Sequence, residues 1–230
     1  MLRVLRVFEC FAGVGSQRMA LRNLGIKYKV VGLCEWEINA MESYEAIHGS
    51  DDSFDHTGDM TEGDMNKALF KMGISSNGKD PMKESQIERL SVERKRGLVN
   101  HILNSKNFVS ITTANTDKIP DHDLFTFSFP CQSFSTAGRG LGVDDIRGTL
   151  ALDAIRVIEA KRPKFIMFEN VKGLTSAKHI PFLKLIMKLL SDLGYEVTMD
   201  ILNAKDYGIP QNRERLFGLG VLKDKEIGDA

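Results

Sequence analysis

Leu124-Phe125-Thr126-Phe127-Ser128-Phe129-Pro130-Cys131-Gln132 is the stretch that decides the fold. Leu124 to Phe129 is a short apolar run with the length and content of a buried strand. Pro130 cannot donate to a ladder and ends it. Residues 133–142 are rich in Ser and Gly and read as a loop. A thiol at the carboxyl end of a buried strand, opening on such a loop, is where an α/β enzyme holds a nucleophile.

The same rhythm extends in both directions. Apolar runs predict strands at about Arg3–Phe8, Tyr28–Cys34, Leu124–Phe129, Lys164–Phe168, Tyr195–Leu202 and Arg215–Val221. Helical periodicity covers Ser16–Leu24, Ile38–His48, Gly148–Glu159 and Ile180–Leu193, with Gly194 closing the last and Pro163 breaking the chain before the fourth strand. Repeated βα units predict an α/β fold with a mostly parallel sheet. Between Asp59 and Asp123 no strand is evident, and Ile74 to Pro81 is turn-like. Lys83 to Lys106 reads as one charged helix, with six Lys/Arg against three Asp/Glu. This segment, about 61–120, is expected to be an insertion with a solvated helical face. The alternative is a DNA-backbone contact through Arg89, Arg94, Lys95 and Arg96.

At 230 residues the chain can bury a sizeable core as one domain, 1–230, and its 42% hydrophobic and 27% charged content is ordinary for a globular protein. No stretch has the length of a membrane span, and the start, Met1 to Arg6, is too short and charged for a signal peptide. Cys10, Cys34 and Cys131 make no disulfide framework and lack metal-ligand spacing, which fits a reducing cytoplasm. Net charge is zero, from 31 basic and 31 acidic residues. That is unusual for a protein whose affinity comes from neutralising phosphates. If the chain acts on DNA, its basic surface is local or another polypeptide supplies the grip.

Several short segments carry chemistry. Phe11-Ala12-Gly13-Val14-Gly15 follows the first strand and precedes a helix, as a nucleotide-cofactor loop does. It lacks the third glycine of the dinucleotide fingerprint, because Arg18 stands there, and a structural turn is the alternative. Glu35 ends the second strand, where a carboxylate can bond a ribose hydroxyl pair, and Trp36 can lie on a purine. The competing reading is a capped helix start with a core aromatic. Gly58-Asp59-Met60 is too short to weigh alone. The Cys131 thiol needs positive charge to ionise, for which Arg213 and Arg215 are candidates. Glu169 and Asn170 end another strand on the same sheet edge, where the glutamate either caps a helix or bonds the N3 and amino edge of a cytosine. Gln211, Arg213 and Arg215 alternate, so an extended segment projects them to one face, either into solvent or toward a base or phosphate.

In this order the segments closely resemble the cytosine-5 DNA methyltransferase family, over nearly the whole chain outside the insertion. Pro130-Cys131-Gln132, Glu169-Asn170-Val171 and the Gln-x-Arg-x-Arg run at 211–215 are highly specific as a series. The resemblance implies a Rossmann-like fold with helices on both sheet faces, S-adenosylmethionine as cofactor, no metal, and double-stranded DNA as substrate. It assigns Phe11, Gly13, Gly15, Glu35, Trp36, Asp59, Met60, Pro130 and Leu150 to the cofactor pocket. Cys131 becomes the nucleophile, Glu169 the group that holds cytosine N3, and Arg213 and Arg215 supports for the base and the thiolate.

Three departures stand out. Ser16 replaces a common glycine, the stretch before Pro130 is long, and the family's target-recognition domain and two closing motifs are not found before Ala230. The chain therefore resembles the larger subunit of a two-chain methyltransferase from a bacterial or phage cytoplasm, acting at the nucleoid within a restriction-modification or related setting. A truncated frame or fragment is the rival. Two other readings remain. A tRNA cytosine methyltransferase is expected to carry Cys-Phe-Thr shortly after Glu-Asn-Val, where this chain has Lys172-Gly173-Leu174. A non-catalytic paralogue is expected to lose the thiol or the glutamate, and both are kept.

Overall fold

A computed structural model describes residues 4–49, 53–130 and 150–223. Cys131 and the Ser/Gly-rich loop lie outside the described residues. The chain divides into two compact units, Met1–Pro120 and Asp121–Ala230.

The first unit runs β1 (Leu5–Cys10), α1 (Ser16–Asn23), β2 (Tyr28–Cys34), α2 (Ile38–His48), α3 (Glu62–Met72), α4 (Glu84–Glu88) and α5 (Val92–Asn104). β1 and β2 are parallel, from Leu5 opposite Tyr28 to Cys10 opposite Cys34. A parallel pair needs a crossover, and α1 supplies it. β2 and α2 have the bounds the sequence predicts; β1 is shifted two residues toward the loop.

Residues 61–120 hold more buried surface than an insertion with a solvated helical face would. The expected Lys83–Lys106 helix is two, because Ser91 leaves helical geometry and its side chain caps Arg94 N–H, starting α5 afresh. Thr61 and Asp64 form a capping box that opens α3. Met65, Leu69, Ile87, Leu98, Val99 and Ile102 then bury their side chains with Ile38 and Met41 of α2. Each such side chain contributes about 1.5–3 kcal/mol on leaving water. Trp36 and Met60 pack at the edge of this cluster.

Three of the four cations weighed for DNA contact are bonded inside the unit, and burial removes Lys95 from that reading. Arg94 forks onto both Glu42 oxygens at 2.6 and 2.9 Å. Lys95 is fully buried, its Nζ 2.5 Å from Glu62 and 3.0 Å from the Glu88 carbonyl. Arg96 donates to Thr57 Oγ1 at 2.9 Å. Arg89 is exposed.

The second unit contains β3 (Leu124–Phe127), α6 (Leu150–Lys161), β4 (Phe165–Val171), α7 (Ile180–Asp192), β5 (Tyr195–Asn203) and β6 (Glu214–Leu222). Its strands lie in the order β3-β4-β6-β5. β3 and β4 are parallel, and β6 runs antiparallel to both β4 and β5, so it is the reversed strand of the four. β4 continues three residues past its predicted end because β6 pairs with the extension: Glu169 faces Phe217, and Val171 faces Arg215. The buried side holds a phenylalanine ladder, with Phe127 and Phe168 centroids 5.6 Å apart and Phe129 against Phe182 of α7 at 6.2 Å. Gly218 lies under Phe168, whose ring a Cβ there would meet at 2.1 Å. Among the described residues no helix is long and apolar enough to cross a membrane.

Candidate active site

Two groups of side chains stand out, one in each unit. In the first, β1 ends in a tight turn. Phe11 takes φ 55, a conformation that costs a side-chain-bearing residue about 1–3 kcal/mol and therefore marks a geometry the surroundings impose. Ala12 N–H donates to the Cys34 carbonyl at 3.1 Å and Gly15 N–H to the Ala12 carbonyl at 2.8 Å. Gly15 is the α1 cap at φ 75, and a Cβ there would lie 2.4 Å from His48 Nε2. Gly13 is also left-handed, but its would-be Cβ meets nothing within 4 Å. One glycine is needed for packing, the other leaves open space.

Beneath the loop lies a polar network. His48 Nε2 contacts the Val14 and Gly15 carbonyls at 3.2 and 3.1 Å. Burial pushes the His48 pKa down, which keeps the ring neutral with Nε2–H as donor. Tyr44 donates to fully buried Glu9 at 2.5 Å and accepts from Arg18 Nη1 at 2.9 Å, while the Arg18 guanidinium lies 5.4 Å from the Tyr44 ring centroid. Arg18 at the third-glycine position is thus part of the loop's support. Cys10 and Cys34 are both buried, and burial raises the Cys10 pKa well above its ordinary value, so that thiol is inert packing.

Glu35 faces the loop. Its Oε2 accepts from Gly13 N–H at 2.8 Å; its Oε1 accepts from Trp36 N–H at 2.9 Å and Glu37 N–H at 2.8 Å. A carboxylate has about four acceptor positions, so one remains, on Oε2. Burial raises the Glu35 pKa despite these donors. The cap of α2 is Glu37, not Glu35: its side chain accepts from Asn39 and Ala40 N–H. Asp59 is exposed, and Met60 is part of the edge packing with Trp36.

Sequence reasoning missed Asn107. It forms a parallel bridge with Leu33, so β2 gains a neighbour on the side away from β1, inside the segment where no strand was expected. Its side chain bonds both main-chain groups of Glu35. The faint signal was the short run Phe108-Val109 beside a polar Asn.

In the second unit, Arg215 Nε lies 3.0 Å from Glu169 Oε1, with both side chains 22% exposed. Cross-strand partners share a sheet face, so Glu169, Val171, Arg215 and Phe217 point the same way. Asn170 points to the other face, where it is buried. Its Nδ2 donates to the Phe129 carbonyl at 2.9 Å and its Oδ1 accepts from Val171 N–H at 2.9 Å. It therefore pins the chain immediately before Pro130, which is exposed, and Cys131. Leu150 opens α6, half-buried.

The two arginines part company. Arg213 precedes β6 and is exposed; its main-chain N–H donates to Asn203 Oδ1 at 3.0 Å. The expected single row of Gln211, Arg213 and Arg215 is not a strand row, because the ladder begins only at Glu214. Asn203 also bonds Asn212 Oδ1 at 2.7 Å, so this one buried side chain shapes the 203–213 turn.

Residues 98–228 match the family described as C-5 cytosine-specific DNA methylase. This chain belongs to that family. Among its relatives is Type II methyltransferase M2.ScrFI of Lactococcus lactis subsp. cremoris, 39% identical over 229 residues, which cover 97% of this chain and 62% of the relative. Orphan methyltransferase M.SPRI of Bacillus phage SPR is 31% identical over 220 residues, 96% of this chain and 38% of that protein. The chain thus spans 62% of the first relative and 38% of the second. Among solved structures, S. pombe Dnmt2 methyltransferase superposes with a TM-score of 0.58 at 21% identity, covering 98% of this chain and 51% of its own. A putative DNA modification methyltransferase encoded within an E. coli prophage gives 0.54 at 19%, with 98% and 49% covered. At such identities the likeness is one of fold, and that fold is the Rossmann-like α/β architecture.

Proposed function

We propose that this methylase chain is the catalytic part of a DNA (cytosine-5-)-methyltransferase, acting on a cytosine flipped out of double-stranded DNA. The observation that carries the reading is the Glu169–Arg215 pair on one face of β4 and β6, with Asn170 between Glu169 and the chain entering Pro130-Cys131. Cytosine C5 is a weak nucleophile inside the base stack, so the base must first be extruded. The Cys131 thiolate adds to C6, and Glu169 holds the proton at N3. Electron density then moves to C5. S-adenosylmethionine, when bound, supplies the electrophilic methyl that C5 takes. With S-adenosylhomocysteine as the leaving group, loss of the C5 proton to water, release of the proton held at N3 and departure of Cys131 from C6 restore the thiolate and the aromatic ring. Arg215 fixes the Glu169 carboxylate through a charge-assisted bond. Arg213 is assigned to the base and its flanking phosphate.

The residues of the first unit fit an adenosine-bearing cofactor. Open space at Gly13, a spare acceptor on Glu35 and a partly buried indole at Trp36 match main-chain approach, a ribose hydroxyl and a purine face. Phe11 and Gly15 set the loop, and Met60 supports the indole side. Asp59 completes the lining proposed for this unit, and Pro130 and Leu150 keep only the cofactor assignment that the resemblance implies.

Target recognition is assigned to a second polypeptide. Its support is the zero net charge of this chain. Cys131→Ala should abolish methyl transfer from radiolabelled cofactor while S-adenosylhomocysteine still binds. Undiminished turnover by that variant rejects the covalent route. Labelling of tRNA instead of DNA transfers the same chemistry to the other substrate. Sequence-specific methylation by the 230-residue chain alone removes the need for a partner.

A further inference from the structure

We propose that Asn107 is a positioning residue for the cofactor, holding Glu35 by clamping its main chain from both sides. The inference rests on the assignment of Glu35 to the ribose. Asn107 Oδ1 accepts from Glu35 N–H at 3.0 Å and from Val109 N–H at 2.8 Å, while its Nδ2 donates to the Glu35 carbonyl at 2.8 Å. The residue is only 8% exposed. Its own backbone is fixed by the bridge to Leu33, with Phe108 N–H donating to the Leu33 carbonyl at 2.8 Å.

Glu35 lies one residue past the end of β2, where the strand no longer supplies a partner for every main-chain group. Such groups must be paired when water is excluded. A primary amide offers a donor and an acceptor on one planar head, so one residue satisfies both sides of Glu35. That fixes the direction in which the glutamate side chain leaves the backbone. The carboxylate is then directed onto the Gly13, Trp36 and Glu37 amides, and its fourth acceptor position is held at a set place. Truncating Asn107 frees this orientation without touching the groups assigned to the base. The effect therefore belongs in cofactor affinity and KM, with kcat at saturating cofactor preserved.

The test is calorimetric titration of the 230-residue chain with S-adenosylhomocysteine and with its analogue lacking both ribose hydroxyls. Asn107→Ala should weaken the natural nucleoside about tenfold, the size of a lost hydrogen bond to a charged group, and leave the analogue unchanged. Asn107→Ser, which keeps a small polar head, serves if the alanine variant does not fold, and the same difference between ligands is expected. Equal weakening of both ligands marks a general loosening and overturns the inference, as does no weakening of either. Glu35→Ala separates the two layers. If it binds the nucleoside like wild type, or wild type binds neither ligand, the ribose assignment falls and takes this inference with it. If Glu35→Ala weakens binding and both Asn107 variants do not, only the role of Asn107 is lost.

Discussion

Glu35, just past the end of β2, and Glu169, inside β4, are the same residue type, and their surroundings make them different tools. Glu35 is held by three peptide N–H groups, all within four residues of the turn or helix start that it joins. Peptide amides in a fixed turn cannot withdraw, so this carboxylate is a rigid acceptor. Among the described residues Glu169 is paired with the guanidinium of Arg215, at the end of a long side chain. It can exchange that partner for a base without rearranging the backbone. On the roles proposed above, the group assigned to the cofactor is set in main chain and the group assigned to the base is set against a side chain.

The comparison can be broken at several places. The largest effect is expected at Glu169→Gln, which keeps the shape but loses the charge that, on the proposed mechanism, holds a proton at N3. Its kcat should fall by about 10²–10⁴ with cofactor binding intact, the range for a lost acid–base group; single-turnover methylation with S-adenosylhomocysteine titration checks both halves. A parallel loss of binding would mean that the residue is structural. Glu35→Ala strips the acceptor from three amides and should instead cost stability, about 2–3 kcal/mol in urea unfolding, together with weaker cofactor binding. Were its stability unchanged, the rigid-acceptor description would fail.

The smallest effect concerns pH. Burial raises the pKa of Glu9 above its ordinary 4.5. The folded protein then holds that proton more tightly than the unfolded chain, so the contribution is complete below about 4.5 and fades as pH rises through the folded value. The melting temperature should decline across that window, and Glu9→Gln should flatten the decline. An identical slope in the variant would remove Glu9 from the account.

Much of this was legible in residue order. The bounds of β2 and α2 follow from apolar runs and a turn, because local periodicity and local caps decide them. Glu169 and Arg215 could be singled out, but not paired, since their bond depends on β6 returning antiparallel beside β4. The same return lengthened β4 through Val171. The segment 61–120 misled because its charge density suggested solvent. Lys95 looks like surface in any linear reading, yet it is fully buried between Glu62 and a helix-end carbonyl. Asn107 had no motif to announce it.

By itself the sequence determined the alternation of strands and helices, a glycine-bearing loop between the first strand and the first helix, and the chemical types available: a thiol, two carboxylates and two guanidinium groups. Those are consequences of short-range sterics and side-chain chemistry. Only the tertiary structure decided which carboxylate meets a guanidinium, which arginines are spent on internal bonds, and that an amide 72 residues away holds Glu35. Such pairings depend on which distant strands become neighbours, and that is settled by the burial of whole faces rather than by any local run of residues.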